Sequence, residues 1–336
     1  MSKLNITLSS CVRVSSKNSS CSSCADICPH DSITFNENVI QVDKSCDDCG
    51  LCLGVCPTQS ITLDGFSTIN SIFNFLKSDK TSLICKDNLP CIGVLDSEYL
   101  LSIAILNSHD KLELMCCQNC YSSTEAKVDE VNYLLEKLGL TKKINMTLNQ
   151  PKEEQEDKSR RDFLKKLTLQ EPLDSSKEFN KLSGSAIKQK ILPNKRKLLY
   201  MAIKRVERKE VFEKIEEKRI SFISQKVIDD SCDNCSFCYR ICPSGALSTD
   251  KNGSLINFDT LLCLKCKLCH DVCESNSITI DSFHIKSFFE PKVEKLIEFD
   301  IKRCEDCGII FTPKNSENMC RRCTIEDEEA RDLWGI

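Results

Sequence analysis

Four short runs of cysteine are the residues of this sequence whose types and spacing could do chemistry. The run at 46–57 reads CDDCGLCLGVCP, and closely related runs occur at 21–29, 232–243 and 263–273. Three thiolates at i, i+3 and i+6 on a tight loop can bind three corners of an iron–sulfur cube, while the fourth points away and ligates a neighbouring cube. A proline after the fourth cysteine is tolerated because the first helical position needs no N–H partner. The runs therefore predict paired iron–sulfur clusters.

The segments that follow these runs are also repeated. PHDSIT, PTQSIT, PSGALS and ESNSIT each come directly after a fourth cysteine, and each predicts a helical turn that leads into a strand with a buried aliphatic residue. Two runs with their tails make one module, so the chain holds two modules. Over residues 8–66 and 228–284 the sequence resembles bacterial two-cluster ferredoxins. The resemblance implies a ferredoxin-like fold and electron transfer.

The resemblance also implies that the two runs of a module exchange one cysteine. It predicts [4Fe–4S] clusters on three complete sets: Cys232, Cys235, Cys238 and Cys273; Cys242, Cys263, Cys266 and Cys269; Cys28, Cys46, Cys49 and Cys52. Glu274 stands where the family has proline, which softens the turn without removing a ligand. Zinc on the same sulfurs is the alternative, but zinc sites favour pairs of cysteines over runs of four.

The fourth set is one sulfur short. It contains Cys21, Cys24 and Cys56, and Asn18 stands where the missing cysteine is expected. Cys11 is the nearest candidate, and we expect it to reach the cluster on a longer loop. The alternative is a three-iron or labile cluster.

Residues 67–150 show a different pattern. Apolar strands alternate with helices, with strands expected over 81–85, 111–117 and 143–148 and a helix over 98–106. A capping box of Ser122 and Glu125 predicts the start of a further helix, which Gly139 ends. This alternation predicts a small parallel α/β unit with right-handed crossovers.

The cysteines of this unit lie at strand ends and before a helix, where α/β proteins place functional groups. The strand-end cysteine, the C-x3-C motif and the LLEKLGL helix resemble the small iron–sulfur delta subunit that accompanies some hydrogenases and heterodisulfide reductases. The resemblance implies a [2Fe–2S] cluster on Cys85, Cys91, Cys116 and Cys120, with Cys117 as an alternative ligand. Buried reduced cysteines without metal are the other interpretation.

The segment from 151 to 226 is rich in lysine, glutamate, arginine and glutamine. SRRDFLKK at 159–166 matches the twin-arginine export motif, yet polar residues follow it, so export is not expected. A similar motif opens the accessory ferredoxin of periplasmic nitrate reductase, a cytoplasmic protein that the C-terminal half weakly resembles. Residues 198–219 predict one amphipathic helix, which serves either as a solvated connector or as a docking surface for a partner or a membrane face.

Two C-x2-C pairs lie near the C-terminus. Four sulfurs presented in pairs suit tetrahedral zinc, so the sequence predicts a zinc ribbon on Cys304, Cys307, Cys320 and Cys323. Mononuclear iron, as in rubredoxin, is the alternative. The tail at 325–329 is acidic, which favours a structural or docking role over nucleic-acid binding.

Composition limits the classes of partner and the compartment that the sequence predicts. The chain has 336 residues, 25 cysteines and a net charge of −4, which does not favour a nucleic-acid partner. No apolar run reaches the roughly 18 residues of a membrane span. Cysteines two residues apart, with no export signal, predict metal binding in a reducing cytoplasm.

Together these patterns predict an α+β multidomain protein. The expected parts are a 2[4Fe–4S] ferredoxin-like module at 1–66, a small parallel α/β domain at 67–150, a charged and partly helical linker at 151–226, a second ferredoxin-like module at 227–285 and a zinc ribbon at 286–336.

No nucleotide-binding loop, flavin motif or Ser/His/Asp arrangement supplies a substrate site. We therefore expect an electron carrier or an oxidoreductase subunit rather than a stand-alone enzyme, one that passes single electrons between partner redox proteins. The alternatives are an iron–sulfur sensor or assembly factor and the electron-input subunit of a disulfide- or anion-reducing complex.

Overall fold

The computed structural model of this chain describes residues 3–36, 39–149, 190, 192–207, 214–313 and 316–335. Most of the predicted linker, with the twin-arginine motif at 159–166, lies outside the described residues. The fold is mixed α/β. No helix in the described ranges is both long enough and apolar enough to cross a membrane.

The N-terminal part is built from two antiparallel ladders that carry the cysteine loops. Ile33 and Ile61, the aliphatic residues of the repeated tails, are buried and pack against Cys52 and Cys56. Side chains alternate between faces along a strand, so one residue of each tail enters the core. The ladders pair β1 (Leu4–Ile6) with β4 (Ile61–Leu63) and β2 (Ile33–Asn36) with β3 (Val39–Val42). Two short helices, α1 (Val12–Ser15) and α2 (Ser23–Asp26), come between β1 and β2 in the sequence.

Residues 67–149 form a parallel sheet covered by helices. Strands β5 (Ser82–Ile84), β6 (Lys111–Cys116) and β7 (Lys143–Leu148) pair in parallel in that order. The helices are α3 (Thr68–Lys77), α4 (Ser97–Leu106) and α5 (Gln118–Lys137). Side chains cap two of them, because Ser67 accepts a hydrogen bond from the Asn70 N–H and Asp96 accepts one from the Tyr99 N–H.

Helix α5 begins earlier than the sequence predicts. Cys117 is its N-cap residue, so the prediction that Ser122 and Glu125 open the helix is wrong. Cys120 and Thr124 are buried on the same face as Val128, which packs the first turn onto the sheet. Tertiary packing therefore outweighs the local capping signal.

The described part of the charged segment is a core element. Helix α6 (Asn194–Ile203) packs on α4, and its Leu198, Leu199 and Ala202 are almost fully buried. The predicted single helix over 198–219 is wrong: the chain leaves α6 after Ile203 and forms the short strand β8 (Lys214–Ile215). The segment is consequently neither a solvated connector nor a free docking face over α6.

The C-terminal part repeats the ladder architecture. Ala246, Leu247, Ile256 and Phe258 are buried in its core beside the cysteines. Strand β9 (Gln225–Ile228) pairs with β12 (Ile278–Asp281), β8 pairs with β13 (Phe283–His284), and β10 (Leu247–Thr249), β11 (Leu255–Asp259) and β14 (Val293–Glu298) form an antiparallel sheet. The helices are α7 (Phe237–Ile241), α8 (Leu268–Asp271) and α9 (Lys286–Phe289), followed by the hairpin β15 (Lys302–Arg303) and β16 (Ile310–Phe311) and helix α10 (Arg321–Trp334).

Candidate metal centres

Two of the predicted ligand sets each surround a cavity. Near the N-terminus, one cavity has in its wall all four sulfur residues of a complete set, Cys28, Cys46, Cys49 and Cys52. In the C-terminal part, another cavity is lined by Cys242, Cys263, Cys266 and Cys269. In both sets the fourth cysteine of one run joins the first three of the other, which is the exchange that the ferredoxin resemblance implies.

In the set of Cys232, Cys235, Cys238 and Cys273, Cys238 is buried in the core of the C-terminal part, and Cys232 and Cys273 are half-buried against that core. Helix α7 carries Cys238 into the core, where Cys232 and Cys235 are its electrostatic neighbours. The Ser277 hydroxyl lies 3.3 Å from the Cys273 sulfur. Burial opposes ionisation of this thiol, but hydrogen bonds from Ser277 and Ser275 lower the pKa of Cys273 on balance.

The structure brings Cys11 to the incomplete set. Cys11 is buried at the start of α1, and its thiol is an electrostatic neighbour of Cys21 and Cys24, as is that of Cys56. The Arg13 side chain donates a 2.8 Å hydrogen bond to the Ser19 carbonyl, which folds the loop between Cys11 and Cys21 back on itself. The role of Cys11 as the fourth ligand stays a prediction.

The chemistry of these sets fits a bound cation. Burial raises the pKa of Cys24, Cys52 and Cys238 to about 12, and neighbouring thiols add to the effect. Thiols of this kind stay protonated in the bare protein, whereas metal ligands have to be thiolates. Bound iron would supply the positive charge that makes four buried thiolates tolerable.

The cysteines of the α/β unit form a second kind of site. The sulfurs of Cys85, Cys91, Cys117 and Cys120 all lie within 4.8 Å of one another. The implied ligand Cys116 is not in this group, and the alternative Cys117 takes the place. Cys85 follows β5, Cys117 follows β6, and Cys120 lies in the first turn of α5, so the carboxyl edge of the parallel sheet assembles the site.

One cation, Lys127, lies beside this site, and no sequence pattern indicated it. Lys127 on α5 donates a 2.8 Å hydrogen bond to the Leu95 carbonyl and a 3.3 Å bond to the Gly93 carbonyl. Burial lowers the pKa of Lys127, while the nearby Asp96 carboxylate and the Cys91 thiol oppose that shift. A lone lysine at mid-helix is read as solvated, so its burial becomes apparent only in the folded chain.

The C-terminal pairs form a compact four-sulfur site. The sulfurs of Cys304, Cys307, Cys320 and Cys323 lie within 4.8 Å of one another, with Cys307 and Cys320 at 3.7 Å. The Cys320 N–H donates to the Cys304 sulfur at 3.2 Å, and this bond is the main reason that the pKa of Cys304 falls to about 6. Gly308 adopts a φ of +70°, which permits the tight turn after Cys307.

The comparison with known protein families agrees with the C-terminal geometry. Residues 231–278 match the family model of the 4Fe-4S dicluster domain. This part of the chain is similar to 4Fe–4S dicluster domains. The matched dicluster domain contains both four-cysteine runs of the C-terminal module, from Cys232 to Cys273. No curated protein matches the sequence.

Proposed function

We propose that the chain is an electron relay that passes single electrons between partner redox proteins through [4Fe–4S] clusters in two modules, at 1–66 and 227–285. The direct contact between the cysteine loops of the two modules carries this proposal. Val12 of α1 is buried with Leu268 and Val272, and Cys21 and Cys266 pack against this group. A cluster bound in one module is thus next to a cluster bound in the other.

Polar contacts fix the same interface. The Ser20 N–H and hydroxyl donate hydrogen bonds of 2.9 and 3.0 Å to the Asp271 carboxylate, across 251 positions of sequence. Cys21 and Cys266 also line a shared cavity of about 500 Å³. Apolar packing with a hydrogen-bonded rim holds the two loops in one geometry, which suits transfer through a fixed path rather than by diffusion of separate domains.

The remaining parts are proposed to serve this relay. The C-terminal pairs suit structural zinc, and the exposed Leu333 and Trp334 of α10 lie beyond them. All 25 cysteines are free, which agrees with work in a reducing compartment such as the cytoplasm. The partner is a larger redox enzyme or an electron donor or acceptor protein. All-cysteine ligation gives low potentials, because it lacks the histidines that raise those of Rieske centres.

Anaerobic purification tests the proposal. The protein is expected to be brown, to contain iron and acid-labile sulfide in equal amounts within the clusters, and to show interacting signals by electron paramagnetic resonance after reduction. Colourless protein that carries zinc alone overturns the proposal.

A pair of variants tests the interface between the modules. Asp271→Ala removes the acceptor of both Ser20 hydrogen bonds, whereas Asp230→Ala changes an exposed carboxylate of the same module. Both are expected to retain iron and sulfide. Only Asp271→Ala is expected to weaken the spin coupling between modules and to slow electron equilibration between them; equal behaviour of the two contradicts the proposed path.

A further inference from the structure

The sulfur geometry of the α/β unit does not fit the [2Fe–2S] cluster that the delta-subunit resemblance implies. Cys85 and Cys120 have their sulfurs 3.5 Å apart, Cys117 and Cys120 also 3.5 Å, and Cys91 and Cys117 3.8 Å. A tetrahedral ion with metal–sulfur bonds of about 2.3 Å places its sulfurs about 3.8 Å apart. A binuclear cluster has two irons side by side, so its two pairs of thiolates have to be further from each other than the edges of one tetrahedron.

The other cysteine sets provide an internal comparison. Among the described residues, two groups of three or more metal-binding side chains have all their ligand atoms within 4.8 Å: this site and the C-terminal pairs. The cysteine sets of the two ferredoxin-like modules do not meet this 4.8 Å limit. The site of the α/β unit therefore has the geometry of the C-terminal site, which suits zinc, and not that of the cluster-binding sets.

We propose that Cys85, Cys91, Cys117 and Cys120 bind one tetrahedral metal ion, zinc or iron, and that Cys116 is not a ligand. Cys116 ends β6 with its thiol beside Cys120, where it serves as a hydrogen-bond neighbour of that sulfur.

Backbone amides supply the charge compensation that four thiolates need. The Ile92 N–H and the Cys117 N–H donate to the Cys85 sulfur at 3.2 and 3.3 Å, and the Gly93 N–H donates to the Cys91 sulfur at 3.4 Å. The site also lies at the positive end of the 20-residue helix α5. Hydrogen bonds of this kind orient the ligands and stabilise their charge.

The ion also holds an interface between domains. A Cβ on Gly93 would overlap Leu51 of the N-terminal module and would lie 3.2 Å from the Cys120 Cβ and 3.4 Å from the Cys91 sulfur. A Cβ on Gly54 would in turn overlap the Gly93 carbonyl. The metal-bound loop thus fits directly against the N-terminal module, so binding of the ion fixes the surface on which that module docks.

The full-length protein, purified without oxygen, tests the assignment through the neighbouring cysteines. We expect wild-type protein to contain two metal ions per chain that are not accounted for by sulfide-bound iron, one in each four-sulfur site. Cys117→Ser is expected to lose one of these ions with no loss of sulfide, whereas Cys116→Ser is expected to keep both. Zinc and iron analysis of the same samples identifies the ion.

Cobalt substitution gives a second readout, and its measurement on the wild type does not depend on the folding of a variant. Wild-type protein grown with cobalt is expected to show the visible absorption bands of tetrahedral Co²⁺–thiolate sites in two equivalents per chain, and Cys117→Ser is expected to show one. Loss of iron and sulfide in equal amounts from Cys117→Ser, loss of the ion from Cys116→Ser instead, or a single cobalt equivalent in the wild type each overturns the assignment. None of these results tests the clusters of the four-cysteine runs, so failure of this assignment and failure of the proposed relay are distinguishable.

Discussion

Replacing Arg196 with methionine is expected to loosen the junction between the α/β unit and the C-terminal module. The Arg196 side chain is fully buried and lies on α6. Its guanidinium pairs with Glu98 of α4 at 2.5 Å and donates to the carbonyls of Phe222 and Cys263 at 2.8 Å and to that of Leu261. One side chain therefore joins three segments that are distant in sequence.

The expected loss of stability follows from the unpaired charge that Arg196→Met leaves on the Glu98 carboxylate. Glu98 is as buried as Arg196, and breaking a buried ion pair on one side costs about 3–5 kcal/mol. Lys195 has its ammonium group 3.8 Å from the Glu98 carboxylate, which compensates in part and places the expected loss near the lower bound, about 3 kcal/mol. Arg196→Met combined with Glu98→Gln leaves no unpaired charge, so the double variant is expected to lose less than the single one.

Native-state hydrogen exchange of the amides of α4 and α6 measures this effect without denaturing the metal sites. A loss of about 3 kcal/mol corresponds to exchange roughly a hundredfold faster, since each 1.4 kcal/mol is a factor of ten. Lys204→Met, an exposed change at the end of the same helix, is expected to stay within about 0.5 kcal/mol of wild type. Exchange in Arg196→Met that is less than about tenfold faster would refute this reasoning.

Three further changes have expected outcomes. Cys11→Ala is expected to lower iron and sulfide while sparing the other sets, and unchanged iron excludes Cys11 as a ligand. Gly54→Ala places a Cβ against the Gly93 carbonyl and is expected to cost about 1–3 kcal/mol of docking, seen as faster proteolysis between domains. Lys44→Ala, a change at an exposed position of the same module, is the control and should leave interdomain cleavage unchanged. Burial raises the pKa of Glu130, so the contribution of this carboxyl to stability is fully present below its ordinary pKa of 4.5 and is lost as pH rises through the raised value. Thermal denaturation across pH is expected to lack this contribution in Glu130→Gln, and an equal slope in variant and wild type contradicts the assignment.

Spacing predicted the parts of the fold that local sequence determines. The four-cysteine runs identify a dicluster domain because their ligands lie within a few residues of one another, and the family match at 231–278 agrees. The strands at 82–84, 111–116 and 143–148 follow from short apolar segments, and they pair in parallel as the alternation with helices predicts. The choice between Cys116 and Cys117 did not follow, because adjacent residues at a strand end differ only in the direction of their side chains.

Packing between distant segments accounts for the errors. Lys195 and Arg196 lie in the segment that the sequence predicts as a charged linker, yet Lys195 pairs with Asp96 at 2.7 Å and Arg196 pairs with Glu98. The carboxylates lie about a hundred residues earlier in the chain, so no local pattern indicates them. Similarly, the start of α5 depends on the burial of Cys120 and not on the capping residues nearby.

Helix α6 contacts both modules of the proposed relay through neighbouring side chains. The Lys195 ammonium donates a 3.0 Å hydrogen bond to the carbonyl of Cys56, and the Arg196 guanidinium donates to the carbonyl of Cys263. Both carbonyls belong to cysteines whose sulfurs are proposed cluster ligands, Cys56 in one module and Cys263 in the other. Reduction adds negative charge to a cluster, and a buried cation beside the ligand stabilises that charge, because the interior screens it less than water does. Asp96 and Glu98 pair with these cations and offset part of this stabilisation, so the two adjacent cations favour the reduced form modestly on each side of the junction.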